Sequence, residues 1–161
     1  MSAYCNNNRS RPDNWGGRSS QRGGDARRSN IPAETKPEKL PPDYVEEAER
    51  VMRSLWNEKG KFEISTSKIR NFLSMITELY NVENLRREQE LHPDSISRLM
   101  LVRMRMVYEY GRNEPGVQLF MRKAKLLEYL KGIDSREGLI CFSHYMEALV
   151  AYHRYLGGSE G

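Results

Sequence analysis

The side chains of this 161-residue chain that are able to do chemistry are, before anything else, cations. RLMLVRMRMVYEYGR, residues 98–112, reads as an apolar helix with four arginines driven through it: Arg98, Arg103, Arg105 and Arg112. A guanidinium stays charged and presents a planar fork of donors that matches phosphate or carboxylate oxygens. A helix advances about 100° per residue. Arg98, Arg105 and Arg112 therefore stay within roughly 40° of one another, with Glu109 beside them, on the side opposite Leu99, Met106, Val107 and Tyr110. They form an outer basic stripe. A solvated face with Arg105 and Glu109 as an i, i+4 pair accounts for the stripe alone. Arg103 resists that account, because on the same wheel it falls amid the apolar arc of Ile96, Leu99, Val107 and Tyr110, where an unpaired charge is strongly unfavourable. It must pair with a carboxylate, snorkel to a rim or face a partner.

A second basic group, Lys68 and Arg70, falls in the first turn of a helix behind Ser67. Positive side chains there oppose the helix dipole, which is tolerable when an anion sits at the helix N-terminus. Arg122, Lys123 and Lys125 add charge further on, and SHYMEALVAYHRYLGG supplies Tyr145, Tyr152 and Tyr155. Cations with aromatics nearby suit single-stranded nucleic acid, whose phosphates need positive charge and whose bases stack.

Groups for catalysis do not converge in the sequence. His92 adjoins a proline, while His144 and His153 lie nine residues apart on one helix and read as structural or solvent-facing. Glu46 and Glu47 fit a solvated helix face better than an acid and base flanking a substrate. The chain contains no HExxH, no GxxxxGK[ST] and no GxGxxG. Cys5 and Cys141 are too few for a disulfide framework and have no histidine at ligand spacing, so both read as free thiols. The methionines of MLVRMRM fit either ordinary core or an adaptable partner groove. The expectation is a non-enzyme that needs no cofactor or metal.

The net charge of +4 is placed unevenly. Residues 1–30 hold six arginines against two aspartates, which accounts for all of it and leaves the other residues balanced. Any anionic partner of the folded part must therefore be met by a local patch, not a global field. No run of 18 apolar residues occurs, and the N-terminus lacks the apolar stretch of a signal peptide, so no membrane partner and a cytoplasmic location are expected.

The elements that must position these cations are helical. Residues 1–41, rich in Arg, Gly, Ser and Asn, bury too little to offset the entropy of ordering and read as a disordered tail. From residue 42 to 158 the apolar spacing predicts an all-α five-helix bundle. The first helix carries Tyr44, Ala48, Val51, Met52, Leu55 and Trp56 and ends near Gly60; the second carries Ile69, Phe72, Ile76 and Leu79 behind Ser65-Thr66-Ser67. The third runs from His92-Pro93-Asp94 to Gly111. The fourth, with Val117, Phe120, Ala124, Leu127 and Leu130, ends at Gly132; the fifth runs from Ser135 to Gly157-Gly158.

In order and spacing, TSKIRNFLSMITELYN (66–81), SRLMLVRMRMVYEYGR (97–112), AKLLEYL (124–130) and FSHYMEALVAYHRYLGG (142–158) resemble the small subunit of type III-A CRISPR effector complexes. The resemblance spans residues 43–158. It implies a non-catalytic helical protein present in several copies, stacked along guide RNA and target RNA beside a backbone ribonuclease subunit and a large signalling subunit. It also implies backbone contacts through basic helix residues, placed here at Lys68, Arg70, Arg98, Arg105 and Arg112. The tail is no part of this pattern. Read from the residues alone, the chain also fits a helical adaptor or homodimer that uses its Met- and Tyr-rich faces, with the stripe merely solvated.

Overall fold

The computed structural model describes residues 34–56 and 60–160; most of the expected tail, with Cys5 and six of the arginines, lies outside them. Among the described residues the chain is all-helical: α1 (Tyr44–Leu55), α2 (Thr66–Asn84), α3 (Pro93–Gly111), α4 (Pro115–Lys123), α5 (Leu126–Gly132) and α6 (Arg136–Tyr155). Several starts follow from local chemistry. Ser65 Oγ accepts the Lys68 N–H at 3.3 Å and Ser135 Oγ the Gly138 N–H at 3.2 Å, each satisfying an orphan donor of a first turn. At α3 the cap is His92, whose Nδ1 accepts the Asp94 N–H at 3.2 Å, with Pro93 pre-set at the first helical position.

The expected fourth helix is two helices, so the described residues hold six and not five. The chain breaks at Ala124-Lys125, where Lys125 takes a left-handed conformation, φ +47°. This turn re-phases the apolar face. Before it Val117, Phe120, Met121 and Ala124 point inward; after it Leu126, Tyr129 and Leu130 do, and Leu127 swings partly outward. The break exposes the Ala124 carbonyl, and the buried Tyr145 hydroxyl of α6 donates to it at 3.1 Å. Tertiary contact thus overrides an unbroken helical spacing.

α6 lies at the centre, packed by α1, α2 and α5, and α2 continues the contact to α3. The core of Met52, Ile69, Phe72, Ile76, Phe120, Leu126, Leu139, Phe142, Tyr145 and Met146 is closed to solvent. Burying each such side chain contributes about 1.5–3 kcal/mol. Ahead of α1, residues 34–40 run extended across α5. The Glu38 N–H donates to the Glu128 carbonyl at 3.0 Å, Lys125 pairs with Glu38 at 2.7 Å, Lys39 pairs with Asp134, and Leu40 packs on the core. The strap passes so close to Gly132 that a methyl there would run into the Glu38 carbonyl, so glycine ends α5 for reasons of space.

Candidate nucleic-acid interface

α3 packs with one side only. Ser95, Leu99, Val102 and Met106 are buried, which sets the core direction of the wheel. Arg98, Arg105 and Arg112 are exposed, and neither Arg98 nor Arg105 has an ion pair or hydrogen bond among the described residues. Their seven-residue spacing places successive guanidinium origins about 10.5 Å apart along the helix.

Arg103 is exposed and has no ion pair among the described residues, so of its three alternatives pairing with a carboxylate fails and facing a partner stays open. The apolar arc of α3 is really two rows: the buried one above, and an outer one of Ile96, Met100, Met104 and Val107, in which Arg103 stands. Averaging both rows puts the arc's centre on Arg103, whereas the core is centred near Val102 and Met106. Met100 and Met104 are each 62% exposed while Met106 is buried, so the methionines of this segment divide between core and surface.

Lys68, Arg105 and Arg112 meet at one cleft of about 340 Å³ between α2 and α3, together with Asn71, Phe72, Ser74, Met75 and Glu109. Lys68 Nζ is 3.2 Å from Glu114 and 3.9 Å from Glu109; Arg112 is 3.4 Å from Glu109 and 3.6 Å from Glu114. These two carboxylates hold two of the three cations in position. Arg98 lies outside the cleft, in a smaller recess with Arg86, His92, Asp94 and Ser95. Arg70 turns the other way and pairs with Glu160 at 3.0 Å, as does Arg154. The start of α2 is instead met from within the chain: the neutral Ser159 and Glu160 carbonyls accept the Thr66 and Ser67 N–H groups at 2.8 and 3.2 Å, and the Glu160 carboxylate neutralises Arg70. Asn71 and Ser74 are cleft residues the sequence reading passes over, although they follow Lys68 at helical spacing on α2.

Some other titratable groups lie within the fold. His153 is fully buried between Ile64 O (2.9 Å from Nε2) and Thr66 Oγ1 (3.0 Å from Nδ1). Burial lowers its pKa, and the ring donates from Nε2 to the Ile64 carbonyl, while the Thr66 hydroxyl beside Nδ1 gives its own proton to the Ser159 carbonyl at 2.8 Å. Cys141 is partly buried, which pushes its thiol up. Glu83 of α2 is a fully buried carboxylate that the sequence reading misses. It takes bonds from Arg86 at 2.9 Å, the His92 N–H at 3.1 Å and the Ser95 hydroxyl. Among the described residues no three His, Cys, Asp or Glu side chains gather as a metal site, and no helix is long and apolar enough to cross a membrane.

These features define a class: an all-helical protein whose exposed cations gather along α3 and the cleft beside it. Comparison with known proteins gives the family. The model of the Csm2 type III-A family matches residues 40–159. Over 115 residues the chain is 44% identical to the "CRISPR system Cms protein Csm2" of Mycobacterium tuberculosis, covering 71% of this chain and 91% of that protein. Over 119 residues it is 40% identical to the protein of that name from Streptococcus thermophilus, covering 73% and 94%. The Enterococcus italicus protein of that name is 31% identical over 120 residues, covering 69% and 82%. The chain belongs to the Csm2 type III-A family and is a small subunit of a Csm effector complex, as the resemblance of its four segments implies.

Proposed function

We propose that the protein is a non-catalytic RNA-binding subunit that stacks in several copies along the guide and target RNA of a type III-A CRISPR complex, in antiviral defence. The observation that carries this reading is the exposed row of Arg98, Arg105 and Arg112, joined at the cleft by Lys68. Such a row suits a backbone read without regard to sequence. Arg70 joins it by exchanging Glu160 for a phosphate. The backbone ribonuclease subunit, the large signalling subunit and further copies of this chain are the proposed protein neighbours, and no membrane is involved. The outer row of Ile96, Met100, Met104 and Val107 supports a protein neighbour at α3. That row equally favours the second reading, an adaptor or homodimer without specific RNA binding.

Salt separates the two. Replacing Arg98, Arg105 and Arg112 together by Glu leaves the helix folded, because these positions are exposed and glutamate is a comparable helix former. Loss of three phosphate contacts flattens the dependence of log affinity on log salt by about two for single-stranded RNA. A folded triple variant with the salt dependence of the unmodified protein gives the case to the adaptor.

A further inference from the structure

The tyrosines of α6, first offered as stacking groups, are not all free to stack. Tyr145 is buried beneath the α4–α5 break, and Tyr152 and Tyr155 lie edge to face at 6.4 Å. Tyr108 differs. It is 68% exposed, and among the described residues its ring packs on no other ring and its hydroxyl meets no partner. It stands three residues after Arg105 and four before Arg112, so the three share one side of α3, and Leu101, 51% exposed, repeats the arrangement between Arg98 and Arg105. Cation and apolar side chain thus alternate along the helix as Arg98, Leu101, Arg105, Tyr108, Arg112. A bare ring set between two guanidinium groups offers an apolar face that a ligand can cover. The flanking charge selects what does: an anionic chain with flat apolar groups on a regularly spaced charged backbone.

We infer that Tyr108 is a base-stacking platform for single-stranded RNA whose phosphates lie on Arg105 and Arg112. This rests on the RNA-binding reading above and adds a contact to bases that the arginine row does not provide. An unpaired base lies on the ring while the guanidinium groups hold the phosphates on either side; every base offers a π face, so the contact tolerates any sequence. Stacking releases no counterion, which gives it a signature distinct from that of the arginines.

The test uses the full chain and a fluorescent single-stranded oligouridine, titrated at several salt concentrations with the unmodified protein, Tyr108→Ala and Tyr108→Phe, each checked for helix content. The expected result is binding about tenfold weaker for Tyr108→Ala at every salt concentration with the salt slope unchanged, and near-original binding for Tyr108→Phe. If the unmodified protein binds with a steep salt slope and Tyr108→Ala binds equally well, the platform is wrong and the RNA reading stands. A flattened slope in Tyr108→Ala also overturns the platform, since the ring would then act only by arranging the arginines. If the unmodified protein shows no salt-dependent binding, the RNA reading fails and the platform with it.

Discussion

Glu83→Ala tests how the α2–α3 connection, and with it the pose of the arginine row, is held. The carboxylate is fully buried, and it accepts from Arg86 at 2.9 Å, the His92 N–H at 3.1 Å and the Ser95 hydroxyl. Removing it orphans the His92 N–H and the Ser95 hydroxyl, a loss of about 1–3 kcal/mol for a buried donor. Arg86 suffers less, since it also reaches Glu88 at 3.4 Å and the Glu90 carbonyl at 3.1 Å. The His92 N–H is only part-buried and counts at the low end, so the total is about 2–4 kcal/mol, below the upper end for breaking a buried ion pair. In a domain of this size that lowers Tm by roughly 8–16 °C. Glu83→Gln keeps an acceptor for the His92 N–H and loses only charge, so it falls between. Burial pushes this carboxyl up, but the bonds from Ser95, His92 and Arg86 outweigh burial and hold it below the ordinary carboxylate value of about 4.5. A depressed folded pKa means that the stabilisation is complete above the unfolded pKa and fades as pH falls through the folded one. The gap in Tm between the unmodified protein and Glu83→Gln, followed by circular dichroism, should therefore be full at pH 7 and shrink below about pH 4.5. Equal stability at pH 7, or a gap independent of pH down to 3, would refute the reasoning.

Two further outcomes follow from the strap and from the helix break. A chain beginning at residue 34 keeps every described strap contact, whereas one beginning at 42 loses the Glu38 to Glu128 backbone bond, the Lys131 bond to the Thr35 carbonyl, two exposed ion pairs and the Leu40 packing, about 2–3 kcal/mol in all. Urea midpoints of the two truncations should differ accordingly, and coincident midpoints would make the strap an ornament. Tyr145→Phe leaves the Ala124 carbonyl without its donor and should lower stability by about 1–3 kcal/mol, read from the same denaturation curves. An unaltered midpoint would detach the break from that hydroxyl.

What the sequence made legible and what it hid divide along a physical line. Helix starts were readable wherever a cap side chain acts on its own first turn, as Ser65, His92 and Ser135 do. The break at Lys125 was not, because neither glycine nor proline marks it; its causes are a hydroxyl twenty-one residues away in sequence and a strap from the far end of the fold. The wheel gave the relative angles on α3 correctly, which is why Arg98, Arg105 and Arg112 do share an exposed side. It could not give the absolute direction of the core on a helix with two apolar rows, so whether Arg103 stands inside or on the outer row was not legible. Two signals were present and unused. Lys68 and Arg70, two residues apart, diverge by about 200° and cannot share a face; one goes to the cleft and the other to Glu160. Glu83 continues the apolar stripe of Phe72, Ile76 and Leu79, and the test applied to Arg103 would have exposed it as a buried charge needing partners.

The cleft beside α3 is less basic than its cations suggest. Glu109 and Glu114 sit among Lys68, Arg105 and Arg112, leaving an excess of one positive charge. Their ion pairs are partly exposed, and pairs of that kind contribute about 0–1 kcal/mol each, so a phosphate can take a carboxylate's place at little cost. In exchange the carboxylates keep Lys68 and Arg112 extended before any ligand arrives, which reduces the rotamer entropy lost on binding. Arg98 and Arg105 have no such partner among the described residues and offer their whole charge to solvent. The row thus holds two kinds of cation: unpaired arginines open to solvent, and a cluster at the α3 C-terminus held in place by carboxylates.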